Sequence, residues 1–289
     1  RVESEQGTVY ALKVTSRPLY EPRCLIPRYL RDQGIAAVVA PILTRSGTLW
    51  VQLSDWTVIV YPWISGESSL TGMTNEQWKQ VGSIFQQIHQ VQFSPGDFAS
   101  LRKETFDPTE YVRWVRAFET QPGHLQDQGT SVWALRSSWV AHQSIIHTTL
   151  TSLEKLAGML QSRPSPCVIC HGDLHARNLI RNQAGQIFVI DWDEVRLAPK
   201  ERDFLFVSPP HAEAFFQGYG HVEIDWVALT YFLWERVVQD LIECTHNVCF
   251  RNDWGEESRA EAVQAFNVIL AEDNVRIQAA YQASIHLTL

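Results

Sequence analysis

Over the first fifty residues apolar and polar positions alternate in short β-branched and aromatic runs, divided by turn signals at Glu5-Gln6-Gly7 and Arg45-Ser46-Gly47. The runs Thr8 to Val14, Val38 to Leu43 and Leu49 to Leu53 predict an antiparallel meander. One helix interrupts it, Glu21 to Gln33, which Gly34 stops. Thr57 to Tyr61 predicts a further strand, broken by Pro62 and turned at Gly66. From residue 74 the apolar period lengthens to that of a helix. Thr74 and Gln77 spell a capping box, and Trp78, Val81, Phe85, Ile88 and Val91 fall on one face. Asp107-Pro108 starts the next helix, with Tyr111, Trp114, Val115 and Phe118 along it. Ser131 to Leu160 predicts a long helical stretch that admits a break, and Val168-Ile169 and Ile187 to Ile190 predict two short strands around a polar loop. Asp225 caps a helix reaching Leu241, and Arg259 to Ala283 predicts the last one. The pattern is that of an α+β fold with two lobes, a small antiparallel-sheet lobe over residues 1–64 and a larger, mainly helical lobe over 65–289, with a ligand cleft between them.

A chain of 289 residues with 45% hydrophobic positions has enough apolar surface for a full core. Its formal charge of -8 is unevenly spread: residues 201–289 carry 5 basic and 14 acidic side chains, so the remainder is close to neutral. No basic block is left to hold a nucleic-acid backbone. The acidic third either recruits a cation or only solubilises the surface. No apolar run approaches the roughly 20 residues of a membrane span. Five cysteines, an odd number, in a chain that needs no staples point to a reducing cytoplasm. The pair Cys167 and Cys170 beside His171 invites a zinc reading, but its only companion pair, Cys244 and Cys249, has wider spacing in a helical stretch. The alternative makes Cys167 and Cys170 small buried hydrophobes on a strand.

The chemistry is concentrated in His171-Gly172-Asp173-Leu174-His175-Ala176-Arg177-Asn178 and in Asp191 at the end of an apolar strand. Phosphoryl transfer from a nucleotide needs a carboxylate that orients or deprotonates the acceptor hydroxyl, and two oxygen ligands that hold Mg²⁺ against the phosphates. Asp173, Asn178 and Asp191 supply these groups. Each alone reads as a turn former. The complete set, flanked by two apolar strands, does not.

The motifs HGDLHARN at 171–178 and VIDWDE at 189–194, with Asp203 in ERDF, resemble the aminoglycoside phosphotransferase family, a branch of the protein-kinase-like fold. YALKV at 10–14, EPRCLIPRYL at 21–30, VAPILTRSG at 39–47, Tyr61-Pro62 and WERVVQD at 234–240 are most similar to its spectinomycin-type members. The resemblance implies ATP- and Mg²⁺-dependent transfer of a γ-phosphate to a hydroxyl of a small cationic molecule, an aminoglycoside or spectinomycin-like antibiotic. It implies that Lys13 contacts the α- and β-phosphates and that Glu21 is its ion-pair partner, although Glu21, placed before Pro22, also reads as a dipole-favoured acid. The Pro62 carbonyl and the Ile64 amide would face adenine. Asp173 would be the base, Asn178 and Asp191 the metal ligands, His171 and His175 the supports of the loop, and Asp203 its brace.

Asp193 is open between metal, substrate and a pair with Arg196. Glu235 or Asp240, with Asp193, would line the substrate pocket, and Trp226, Tyr231, Trp234 and Trp254 would cover its rings. Against this, Arg236, Asp240 and Glu243 fall at i, i+4 and i+7 and equally spell a solvated salt-bridge stripe, while Trp234, Val237, Val238 and Leu241 face inward. Only twelve residues precede Lys13, and Gly7 is the lone glycine among them, so the first strand and the Gly-rich loop of such a fold are expected to be missing. Two alternatives stand beside the antibiotic reading: a kinase for a metabolite of choline, homoserine or sugar type, and a non-catalytic nucleotide-binding remnant.

Overall fold

The structure, a computed structural model, describes residues 1–287 apart from 17, 70, 95, 97, 121–128, 208–210 and 272. In chain order the elements are β1 (Val2–Glu3), β2 (Val9–Thr15), α1 (Pro22–Asp32), β3 (Val51–Leu53), β4 (Trp56–Pro62), β5 (Gly66–Glu67), α2 (Asn75–Gln90), α3 (Thr109–Thr120), α4 (Thr130–Ala141), α5 (Gln143–Gln161), β6 (Val168–Cys170), β7 (Leu179–Asn182), β8 (Ile187–Val189), β9 (Arg196–Ala198), α6 (Ala212–Tyr219), α7 (Trp226–Cys249), α8 (Glu256–Leu270) and α9 (Val275–Ser284). The fold is α+β. The chain divides into two compact units, one of residues 1–104 and 166–223, the other of 105–165 and 224–289.

The first unit holds the strands. Its four-stranded antiparallel sheet runs β1-β2-β4-β3, with Lys13 opposite Ile59 in register. Ile59 is fully buried and packs with Cys24 and Leu49, so α1 lies under the same face of the sheet that Lys13 occupies. Leu12 and Val14, one step away on the other face, are 42% and 47% exposed. Gly34, left-handed at φ 91°, closes α1 while Ile35 N–H reaches back to the Leu30 carbonyl. The expected strand Val38 to Leu43 does not form. Pro41 removes a ladder donor, and the segment instead makes a single parallel bridge from Val38 to Val189. The polar loop expected between two strands contains a third, because Leu179–Asn182 pairs with β8 as a hairpin closed by Asn182 Oδ1 on Gln186 N–H. Strand β9, also unexpected, pairs with β6. Beneath these strands α2 starts at the Thr74–Gln77 capping box and buries Trp78, Phe85 and Ile88. Each of these is worth roughly 1.5–3 kcal/mol of burial. Helix α6, short and preceded by residues with no apolar period, packs against α2.

The second unit is helical. Asp225 caps α7 by accepting from Val227 and Ala228 N–H, and the helix runs past the expected Leu241 to Cys249. The helical stretch 131–160 breaks at His142. The expected last helix is two, because Asn274 accepts from Arg276 and Ile277 N–H and starts α9 afresh. Phe118, Trp139 and Phe266 cluster in its core, with Phe118 and Trp139 ring centroids 4.6 Å apart. Among the described residues no helix is long and apolar enough to cross a membrane.

Candidate active site

The loop after β6 is held by hydrogen bonds between backbone groups and buried side chains. Asp203, fully buried in a 3₁₀ turn at 200–204, accepts His171 N–H on Oδ2 at 2.8 Å and Gly172 N–H on Oδ1 at 3.0 Å. His89 of α2 places Nε2 3.1 Å from Asp203 Oδ2 and Nδ1 2.8 Å from the Tyr219 hydroxyl. Burial pushes the Asp203 carboxyl up, but the His89 bond and charge, with His171 and the Gly172 amide, outweigh it and hold the pKa below its ordinary value. Gly172 is left-handed at φ 85°, and a Cβ there would overlap the Glu194 carbonyl oxygen. Only glycine fits this turn.

Asp173 follows, half-buried, with His175 Nε2 3.5 Å from its Oδ2. Asn178 Nδ2 donates to the Asp173 carbonyl at 2.8 Å, which leaves its amide oxygen to act elsewhere. Two bonds then tie the loop to the end of β8. His171 Nε2 lies 2.9 Å from the Ile190 carbonyl, and Ile190 N–H donates to the Asn178 carbonyl at 3.0 Å. Asp191, the next residue, is therefore fixed alongside Asn178. It is left-handed at φ 63°, a conformation that costs a non-glycine residue about 1–3 kcal/mol. Trp192, 2% exposed and 4.9 Å from the His171 ring, anchors the turn.

Lys13 Nζ sits 2.7 Å from Asp191 Oδ1 and 2.7 Å from Asp193 Oδ1. The expected Lys13–Glu21 pair is not made. Glu21 is exposed at the N-terminal boundary of α1, and that helix instead directs Arg23 inward, with Nη1 3.8 Å from Asp193 Oδ2. Asp193 does not pair with Arg196, whose guanidinium goes to Glu194 at 2.7 Å. Lys13 lines a cavity of about 410 Å³ together with Ala11, Val39, Tyr61, Ile180 and Ile190, and with Pro62, Ile64, Arg177 and Asp191. Lys13, Pro62, Ile64 and Asp191 are thus brought to one cavity. Its apolar walls and Arg177, like Arg23 and His89, were not singled out from sequence, because an apolar residue at a strand end or a lone cation carries no distinctive pattern.

In the helical unit Glu235 is buried, and its Oε1 receives the Tyr111 and Tyr231 hydroxyls at 3.3 and 3.4 Å. Asp240 is buried and pairs with Arg236 and Arg276, so the expected Arg236–Asp240 pair forms, buried rather than solvated. Tyr231 and Trp234 are core residues, Trp226 stacks on His286, and Arg251 lies over Trp254. Cys170 is a buried thiol that donates to the Ala198 and Pro199 carbonyls, and burial raises its pKa, which is the behaviour of a small hydrophobe.

A sequence model of the phosphotransferase enzyme family matches residues 26–238. The spectinomycin phosphotransferase APH(9)-Ia, solved in complex with ADP and spectinomycin, is 30% identical, with a TM-score of 0.86 over 98% of this chain and 88% of that one. An aminoglycoside phosphotransferase from Alicyclobacillus acidocaldarius, 19% identical, has a TM-score of 0.61 over 99% of this chain and 90% of that one. A choline/ethanolamine kinase family protein from Mesorhizobium loti, 15% identical, has a TM-score of 0.56 over 94% and 86%. These last two share the fold. No curated protein sequence matches the chain.

Proposed function

Because the chain belongs to the phosphotransferase enzyme family, we propose that it moves the γ-phosphate of ATP, with Mg²⁺, onto a hydroxyl of a small cationic molecule of the aminoglycoside or spectinomycin type. The observation that carries the reading is the pair of hydrogen bonds through Ile190, which keeps Asp191 beside Asn178 while Asn178 holds the Asp173 backbone. A carboxylate and an amide oxygen form the hard-oxygen donor set that Mg²⁺ prefers. A mainly apolar cavity of about 410 Å³ whose lining includes the paired Lys13 and Asp191 suits a purine nucleotide.

In this reading bound Mg²⁺–ATP supplies the phosphoryl group and its charge neutralisation, and the protein supplies position. Asn178 and Asp191 hold the metal. Lys13 takes the α- and β-phosphates. The Pro62 carbonyl and the Ile64 amide read the base edge, a division that suits proline, which has no N–H to offer. Asp173 would accept a hydrogen bond from the acceptor hydroxyl and take its proton as the new O–P bond forms and the bond between the γ-phosphorus and the bridging oxygen breaks, releasing ADP, while His171 and Asp203 keep the loop from shifting. Residues 1–64 form the nucleotide lobe, and 65–289 carry the catalytic loop and the acceptor site. The net negative charge of residues 201–289 and buried Glu235 favour a cationic acceptor. Five free cysteines fit a reducing cytoplasm, where ATP is abundant.

A coupled ADP-release assay tests the reading with spectinomycin, kanamycin, choline and ethanolamine as acceptors. Turnover with an antibiotic is expected, falling by about 10²–10⁴ in Asp173→Ala. Preference for choline or ethanolamine moves the acceptor class to metabolites. Undiminished turnover in Asp173→Ala overturns the mechanism, and tight Mg²⁺–ADP binding with no transfer to any alcohol leaves a binding protein.

A further inference from the structure

Among the ionisable groups at this site, Arg23 and Asp193 have no part in the phosphotransfer reading above. Arg23 is only 7% exposed, and its Nε and Nη2 are buried with no hydrogen-bond partner among the described residues. A buried guanidinium with orphan N–H groups is costly unless its charge is used. The carboxylate it faces is Asp193, at 3.8 Å, whose other oxygen is 2.7 Å from Lys13 Nζ. One acid therefore bridges a cation on α1 and a cation on β2. Trp192, buried against His171, fixes the segment from which both Asp191 and Asp193 project.

We propose that Asp193, held by Arg23, is the residue that aims Lys13 at the nucleotide phosphates, in place of a carboxylate on α1. The inference rests on the phosphotransfer reading. There Asp191 is committed to metal, so Asp193 is the acid left to Lys13. The mechanical result is the usual one, a helix coupled to the strand lysine through an ion pair. The charges are rearranged: α1 contributes the cation, and the acid comes from the segment after β8. Glu21 is exposed at the helix boundary because this arrangement does not use it. Asp193 and Arg23 are positioning residues, and the acceptor does not touch them.

The test measures Mg²⁺–ADP affinity by calorimetry, together with kcat and the separate KM values for ATP and acceptor. Variants are Asp193→Asn, Arg23→Met, both together, and Arg23→Glu combined with Asp193→Asn, which returns a carboxylate to α1. Each single change is expected to weaken Mg²⁺–ADP binding and raise the ATP KM by about tenfold, with the acceptor KM within twofold. In the Asp193→Asn background Arg23→Met adds little, and the carboxylate-transfer pair recovers part of the loss. Arg23→Lys keeps the charge with a smaller head group, so it retains near-normal affinity and serves as the folding-neutral comparison if Arg23→Met fails to fold. An acceptor KM that rises in Asp193→Asn while ADP affinity stays within twofold overturns the proposal and makes Asp193 an acceptor ligand. Strictly additive losses from Arg23 and Asp193 also overturn it. Failure of the underlying reading is distinct, since it shows as turnover that ignores Asp173→Ala, whereas the ADP affinities are read without turnover.

Discussion

Replacing Asp203 by Asn removes one charge and changes little else in shape, so its effect follows from three contacts. The wild-type carboxylate accepts His171 N–H at 2.8 Å and Gly172 N–H at 3.0 Å, and lies 3.1 Å from His89 Nε2. An amide keeps one acceptor and turns an NH₂ onto one of the other donors. One charge-assisted bond becomes neutral, a loss of about 1.5–3 kcal/mol, and one buried N–H loses its acceptor, a further loss of about 1–3 kcal/mol. The expected total, about 2.5–6 kcal/mol, spans the roughly 3–5 kcal/mol cost of breaking a buried pair. It is a large share of the roughly 5–15 kcal/mol that holds a typical protein folded. Urea unfolding followed by tryptophan fluorescence reads this directly, because Trp192 lies against His171. The folded fraction should also lose about 100-fold in kcat, the effect of roughly 1 Å of misplacement at a reacting group. The pH dependence has a definite sign. The folded-state pKa of Asp203 lies below its ordinary value, so the stability it contributes is complete above the unfolded-state value and is lost as pH falls through the folded one. Wild type and Asp203→Asn should therefore converge only below about pH 4. A variant within about 1 kcal/mol of wild type at neutral pH, with kcat intact, refutes the bracing role.

Gly172→Ala places a Cβ on the Glu194 carbonyl oxygen at a left-handed residue, and strain and overlap together should cost about 2–5 kcal/mol. Thermal midpoints check this, and an unchanged midpoint contradicts the geometry. Asp240→Asn leaves Arg236 and Arg276 facing each other; because both are partly exposed, the loss should be only about 1–2 kcal/mol, with the acceptor KM unchanged within twofold. A raised acceptor KM without loss of stability would place Asp240 in the substrate site.

The sequence was most legible where a local rule decides the outcome. The Thr74–Gln77 capping box, the Asp225 cap and the Gly34 stop all depend on a few adjacent residues, and each helix end stands where its signal lies. The loop at 171–178 stood out as a candidate because phosphoryl transfer calls for Asp, Asn and Asp, and the structure ties Asn178 to the Asp173 carbonyl and to the residue before Asp191. What escaped depends on pairing across the chain. Strand β7, with Arg181 and Asn182 in it, looks polar in isolation and becomes a strand only through β8. The run at 38–43 looks like a strand in isolation, yet Pro41 leaves it a single bridge. The partner of Lys13 escaped for the same reason: Asp193 is 180 residues away in sequence and 2.7 Å away in space, while Glu21 is merely close along the chain.

Every contact described for the catalytic loop, from His89, Ile190, Trp192 and Asp203, comes from residues 1–104 and 166–223, and so do Lys13 and Arg23. The other unit, with its own aromatic core, contributes none of these. The named groups around Asp173 thus share one compact unit, and their mutual hydrogen bonds depend on how well that unit itself is folded.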